Sequence, residues 1–179
     1  ADIGNGTMNT LYMINGKPQQ GKMFTEKFGT YQCTLAVREA FMQRTQREIN
    51  DTIIDEVLIT GTANIAPADL KIIKIVAAEY VRDIFRRLRE HGYDENTMTL
   101  YVTGGGGCLV KNFYKFNADR VKFIEDICAV DGVDGIFVGP FDLSISMGMP
   151  GQLDAPEFQA AITRIVAACH AAGKYCMFF

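Results

Sequence analysis

Four consecutive glycines, Gly104–Gly107, follow the apolar run Met98-Thr99-Leu100-Tyr101-Val102, and from Cys108 to Phe113 the spacing of apolar residues turns helical. A strand, a glycine loop and a helix start in that order let backbone N–H groups approach a phosphate or ribose with no Cβ in the way. A chain that alternates strands and helices in this manner is of the α/β class.

The remaining sequence supports the same class. Asp2-Ile3-Gly4-Asn5-Gly6-Thr7 reads as a strand end running into a tight turn, and Met8–Ile14 as a second strand. Asn15-Gly16 suits a two-residue hairpin, returning the chain through a strand at Lys22–Thr25. From Thr30 to about Ile49 the period is helical, with Leu35, Val37, Ala40 and Phe41 on one face. Asp51 is placed to cap a short helix that stops at Gly61, and Pro67 opens a longer one that stops at Gly92. Arg82, Arg86, Arg87 and Arg89 alternate with Glu79, Asp83 and Glu90, the pattern of a solvated face. A helix is expected over 119–129, a strand at Ile136–Val138, a helix opened by Asp154 and Pro156 and ended by Gly173, and a strand from Tyr175 to Phe179. That last strand–helix–strand unit predicts a parallel pair.

At 179 residues the chain is sized for one domain or two small ones. With 48% apolar residues, 18 Lys and Arg against 21 Asp and Glu, and no basic tract, the sequence points away from disorder and from nucleic-acid contact. No window approaches the ~20 apolar residues of a membrane span. Cys33, Cys108, Cys128, Cys169 and Cys176 are scattered through apolar runs, so reduced thiols and a cytoplasmic location are expected. His91 and His170 are read as helix-end residues, and Ala1 and the apolar Met177-Phe178-Phe179 as cut ends.

Two family resemblances follow from these motifs. Residues 2–129 resemble the second half of ParM-like, actin-type plasmid-segregation ATPases, through Asp2–Thr7, the Asn15-Gly16 hairpin and Val102-Thr103-Gly104-Gly105-Gly106-Gly107. The resemblance implies an actin-like (ribonuclease H-like) subdomain that binds ATP with Mg. Asp2 would lie near the metal, Gly4, Asn5, Gly6 and Thr7 would hold the β and γ phosphates, and Gly104, Gly105 and Gly106 would pack against the adenosine. The family's first phosphate loop and first half have no counterpart here, so weak binding and no turnover are expected.

Residues 124–179 resemble the HpcH/HpaI group of class II pyruvate aldolases, through Gly132-Val133-Asp134-Gly135-Ile136-Phe137-Val138-Gly139-Pro140-Phe141-Asp142-Leu143-Ser144, Ser146-Met147-Gly148 and Ala171-Ala172-Gly173-Lys174. This implies one βαβ unit of a TIM barrel, with Asp142 as a ligand of a divalent metal (Mg, Mn or Co), and Gly139, Pro140 and Ser144 shaping a substrate pocket. Between Gly104 and Ala118 there is no Asp or Glu to supply a second carboxylate. The helix over 124–129 could come from either family and marks the junction between pieces 1–129 and 130–179.

The expectation is an α/β chain, a mixed sheet flanked by helices and shared by both pieces, of recombined or engineered origin. Its expected function is small-molecule binding by an incomplete actin-like nucleotide site joined to an aldolase fragment, without turnover. The alternatives are a metal-dependent aldolase acting on pyruvate-derived 4-hydroxy-2-oxo acids, or a structural module of a filament. No membrane contact is expected, and exposed strand edges, above all Tyr175–Phe179, offer a route to homo-oligomers.

Overall fold

The computed structural model describes residues 1–15, 17–123, 133–147 and 149–178. The chain forms two compact units, Ala1–Val121 and Lys122–Phe179, so the first unit ends eight residues before the junction expected at 129.

In the first unit β1 (Asp2–Ile3), β2 (Met8–Ile14) and β3 (Lys17–Glu26) form an antiparallel sheet in the order β1-β2-β3. Ile14 pairs with Lys17, which leaves a two-residue loop, and Asn15 takes the positive φ of 50° that such a turn demands; Gly16 lies outside the described residues. The strand expected at Lys22–Thr25 is the inner part of a longer one, which carries an irregularity opposite Leu11–Met13.

Helix α1 (Thr30–Thr45) stops four residues short of the expected end. Thr45-Gln46-Arg47-Glu48 offers nothing apolar to bury, and Gln46 enters the left-handed region (φ 56°) with its N–H on the Met42 carbonyl at 2.9 Å. Helix α2 (Asp51–Thr60) is capped by Asn50, whose side-chain oxygen accepts from the Thr52 N–H at 2.8 Å. Asp51 is not the cap, because its carboxylate is engaged by the Arg38 guanidinium of α1. Gly61 ends α2 at φ 79°, as its position suggested.

Helix α3 (Pro67–Glu90) carries the core. Ile73, Ala77, Val81, Ile84, Phe85 and Leu88 are almost wholly buried, together with Val37 and Phe41 of α1 and Ile54 and Val57 of α2. Phe85 stacks on Tyr114 with ring centroids 3.9 Å apart. Helix α4 (Gly106–Phe113) packs on α2 and α3, and the Asn112 side-chain amide donates to the Leu58 and Ile59 carbonyls at 3.2 and 2.8 Å, satisfying acceptors that end α2.

The arginine row on α3 divides. Arg82 and Arg86 pair with Glu79 and Asp83 on the solvated face, as the alternation predicted. Arg87 turns inward instead, lying over the Phe28 ring at 4.1 Å and pairing with Glu26 at the end of β3. His91 caps α3, stacks on Phe24 at 3.6 Å, and brings Nε2 within 2.9 Å of the Glu26 carboxylate. The Tyr80 hydroxyl donates to the Gly29 carbonyl at 2.8 Å. These contacts fasten the sheet and the entry to α1 onto α3.

Strand β4 covers Leu100–Val102, two residues fewer than expected, and β5 covers Val121–Phe123, where a helix was expected. Val121 and Phe123 are buried with Lys122 between them, a period of two, and the Leu100 N–H takes the Arg120 carbonyl at 2.7 Å. The rest of that expected helix, residues 124–129, lies outside the described residues, with Cys128, Gly132 and Gly148.

In the second unit β6 (Gly135–Val138) and β7 (Tyr175–Phe178) pair in parallel, Gly135 opposite Tyr175 and Val138 opposite Phe178. Helix α5 (Pro140–Ser146) follows β6, and α6 (Pro156–Ala171) returns the chain to β7, burying Phe158 and Cys169. The expected parallel pair is present, β6 and β7 forming a two-stranded sheet. The crossover α6 sets β7 directly beside β6. Among the described residues no closed barrel forms and no helix is long and apolar enough to cross a membrane.

Two outcomes follow from this packing. Phe85→Ala should cost about 3–5 kcal/mol, read from denaturant unfolding. Burial works against ionisation of Glu26, but hydrogen bonds from His91 and Arg87 outweigh it and hold the carboxyl below its usual range. A lowered folded value stabilises above the unfolded one, about 4.3, and that stability fades as pH falls through the folded value. The stability gap between the native chain and Glu26→Gln should therefore narrow as pH drops from about 5.5 to about 3.

Candidate functional site

The two glycine motifs of the first unit lie against each other. The Ile3 N–H donates to the Thr103 carbonyl and the Thr103 N–H to the Ala1 carbonyl, each at 2.9 Å, so Asp2 and Thr103 form a parallel bridge. The Thr103 hydroxyl donates to Asp2 Oδ1 at 3.3 Å. Gly104 has φ +81°, and a Cβ there would lie 2.5 Å from both Asp2 Oδ1 and the Ile3 carbonyl oxygen. At Gly106, in the first turn of α4, a Cβ would lie 2.3 Å from Ile3 Cγ2. No side chain fits at either position. Gly105 is the helix cap, exposed and in ordinary right-handed conformation.

The Asp2–Thr7 loop is closed by the Gly4 N–H on the Thr7 carbonyl at 2.9 Å. The Gly4 and Asn5 carbonyls accept the Thr30 and Tyr31 N–H groups at 3.0 and 2.9 Å, and the Thr30 hydroxyl reaches Asn5 Oδ1 at 3.3 Å. These first amides of α1 are therefore committed to the loop rather than open to an anion. Asp2, Asn5, Gly6, Gly104 and Gly105 are exposed, and nothing lies within 4 Å of a Cβ built at Gly6. The edge thus presents a carboxylate, a carboxamide and loop backbone. Neither motif holds Lys or Arg, so a phosphate here would depend on backbone donors and a bound cation.

In the second unit Gly139 is the N-cap of α5, Pro140 its first residue, and Asp142 lies in its first turn, exposed beyond the C-terminal end of β6. A carboxylate in a first turn is favoured by the helix dipole. Asp142 folds back over the chain: a Cβ on Gly139 would meet its Oδ2 at 2.7 Å. Ser144 is completely buried, donating to the Phe141 carbonyl at 2.6 Å and accepting the Gly151 N–H at 2.9 Å. Its hydroxyl is satisfied on both sides and ties the turn at Gly151 to α5. Among the described residues no three His, Cys, Asp or Glu come together in a way that could hold a metal ion.

The structure therefore brings Asp2 and Ile3 onto Gly104 and Gly106, and sets Gly139 against Asp142. Thr103 stands in the glycine motif read from the sequence but is given no role there, although a hydroxyl residue at a strand end beside a glycine run is a signal for one. Gly151 carried no such signal, since its contact with Ser144 spans a turn.

Gly104→Ala and Gly106→Ala should each lower stability by about 1–3 kcal/mol or more, because backbone or a packed side chain occupies the added methyl's place. Gly6→Ala should stay within about 0.5 kcal/mol. Thermal unfolding of the three variants checks the contrast.

The HpcH/HpaI aldolase/citrate lyase family model matches residues 117–178. A hydroxypyruvate/pyruvate aldolase of Agrobacterium fabrum is 54% identical over 57 residues, 30% of this chain and 21% of that protein. A 4-hydroxy-4-methyl-2-oxoglutarate aldolase of Chaetomium globosum is 46% identical over 57 residues, 32% of this chain and 21% of that protein. A hydroxypyruvate/pyruvate aldolase of Delftia acidovorans is 32% identical over 144 residues, 68% of this chain and 50% of that protein, which reaches beyond residues 117–178. The chain spans about a fifth to a half of the length of these relatives. Among solved structures, Bacillus thuringiensis ParM with ATP matches with a TM-score of 0.51 at 12% identity, over 89% of this chain and 46% of that one, a likeness of fold. The chain is composite in its resemblances: its fold resembles part of ParM, and its residues 117–178 match the model of the HpcH/HpaI aldolase/citrate lyase family.

Proposed function

We propose that the second unit is a segment of a metal-dependent class II aldolase acting on pyruvate-derived 4-hydroxy-2-oxo acids, in a chain whose own described residues do not complete the catalytic set. The observation that carries this reading is the place of Asp142, beyond the carboxyl end of a parallel strand and inside the stretch that matches the aldolase family. Functional groups of parallel α/β units gather at that end of the strands. A divalent cation bound there would supply Lewis-acid polarisation of a 2-oxo acid. Asp142 offers one carboxylate, the stretch from Gly104 to Ala118 offers none, and among the described residues no three His, Cys, Asp or Glu come together as a ligand set. A complete metal site does not fit them, and no aldol turnover is assigned to this chain. Gly139 leaves room for the Asp142 carboxylate, Pro140 fixes the helix start, and Ser144 acts by holding the Gly151 turn.

Mn²⁺ titration by calorimetry, with and without pyruvate, tests this reading on the native chain and on Asp142→Ala, alongside pyruvate release from a 4-hydroxy-2-oxo acid. Weak binding that falls at least about tenfold in the variant is expected, with no pyruvate release above the variant's level. Equal Mn²⁺ binding in both proteins would remove Asp142 as a ligand. Pyruvate release abolished by Asp142→Ala would show that the catalytic set is complete.

A second reading rests on the locked pair of loops in the first unit. Asp2 beside Gly104, with Asn5 and Gly6 exposed, supports weak binding of ATP with Mg: Asp2 toward the metal, Gly4–Thr7 toward the phosphates, Gly104–Gly106 toward the adenosine. A ligand at about ten times its Kd should stabilise the fold by about 1.4 kcal/mol. Thermal unfolding with Mg·ATP should show that rise, reduced in Asp2→Asn; an unmoved midpoint at about 10 mM nucleotide would end this reading.

A further inference from the structure

One face of α3 is unlike the rest of that helix. Pro67, Leu70, Lys71, Lys74, Ile75, Ala78 and Arg82 line a shallow groove of about 440 Å³. The spacing runs along a single helical face, and from Pro67 to Arg82 it spans about 22 Å at 1.5 Å per residue. The floor is apolar, with Leu70, Ile75 and Ala78 half-buried, while Lys71, Lys74 and Arg82 stand exposed along it. Among the described residues Lys71 and Lys74 form no ion pair, and Arg82 has only Glu79 at 3.8 Å, both largely exposed. An exposed pair at that distance contributes little. The face therefore presents two lysines without an ion pair among the described residues and one loosely paired arginine along an apolar stripe.

The outer face of α2 has the opposite character. Thr52, Asp55, Glu56 and Ile59 fall at i, i+3, i+4 and i+7 and are all exposed. Ile59 is 59% exposed, and Glu56 has no ion pair among the described residues. Asp55 accepts one long hydrogen bond from Thr34 at 3.3 Å. Ten residues make α2 about 15 Å long, shorter than the groove on α3. An acidic helix face with one protruding isoleucine matches in charge, length and polarity a basic face with an apolar floor. Within one chain α2 already packs on α3 and α4 through its other side, where Ile54, Val57 and Leu58 are buried.

We infer that the groove on α3 binds the outer face of α2 from a second copy of this chain, with Ile59 over Ile75 and Ala78, and Asp55 and Glu56 among Lys71, Lys74 and Arg82. A reciprocal contact would close a dimer, and a one-way contact would extend into a chain of copies. Either form must weaken with salt, because the orientation is set by exposed charges whose attraction is screened over about 3 Å at 1 M ionic strength. The apolar exposed residues of the β2–β3 hairpin, Leu11, Met13 and Met23, would give the reverse salt dependence if they drove association.

Sedimentation velocity of the full chain, from about 5 to about 200 µM, in low salt and in about 0.5 M NaCl, tests the inference. Concentration-dependent association in low salt that weakens at least about tenfold in high salt is expected. Glu56→Lys and Lys74→Glu, both on exposed positions, should each weaken self-association by a similar factor, and an equimolar mixture of the two variants should recover mixed complexes. A chain that stays monomeric at low salt, association that strengthens with salt, or variants that associate like the native chain would each overturn it. The salt series on the unaltered chain decides the matter even if a variant fails to fold.

Discussion

The first unit depends on the close approach of two backbone segments that are a hundred residues apart in sequence. Ile3 is bonded through its N–H to Thr103 and presses its side chain where a Cβ on Gly106 would be, while Asp2 and the Ile3 carbonyl occupy that place at Gly104. Close packing leaves no slack for a methyl group at such a contact. The glycines are thus needed by the fold before any ligand is considered. The same contact sets the Asp2 carboxylate and the exposed Gly104-Gly105 backbone side by side, so a stabilising constraint and a candidate binding edge share residues.

Around this lock the long helix α3 fixes the remaining elements. Its apolar face meets α1, α2 and α4, and its C-terminal turn holds β3 through Arg87, His91 and Glu26. Tyr80 secures Gly29, and Gly29 in turn sits so close to Asn5 that a Cβ would lie 2.3 Å from the Asn5 carbonyl oxygen. A chain of contacts therefore runs from the core of α3 through Gly29 to the Asp2–Thr7 loop. Loops held this way keep their geometry without a ligand, which lowers the ordering cost of binding one.

Among the described residues each unit offers a cation only part of a ligand set. A single carboxylate, Asp142 in one unit and Asp2 in the other, gives a cation too few ligands to displace its water with any strength. A family-model match over residues 117–178 and a fold likeness over most of the chain are compatible because they are different kinds of similarity, one of side chains and one of backbone path.

Periodicity and turn chemistry made much of the architecture legible. The Asn15 turn, the Pro67 and Pro156 helix starts, the Gly61 and Gly173 stops and the parallel pair of β6 with β7 all follow from local preferences that tertiary packing does not oppose. The sequence alone also placed Asp2, Gly104, Gly106 and Asp142 among residues worth watching, because glycines after a strand and a carboxylate at a strand's carboxyl end are local signals. Other features were decided only in three dimensions. Val121-Lys122-Phe123 is too short for its period to be told from a helix until Arg120 bonds to Leu100; Asn50 displaces Asp51 as a cap because Arg38, a helix away, takes the Asp51 carboxylate; and Arg87 leaves its row because Phe28 and Glu26 stand within reach. Local sequence determines what a segment can do with its own backbone, and the tertiary structure alone decides which partner its side chains find, since that choice is made between residues far apart in the chain.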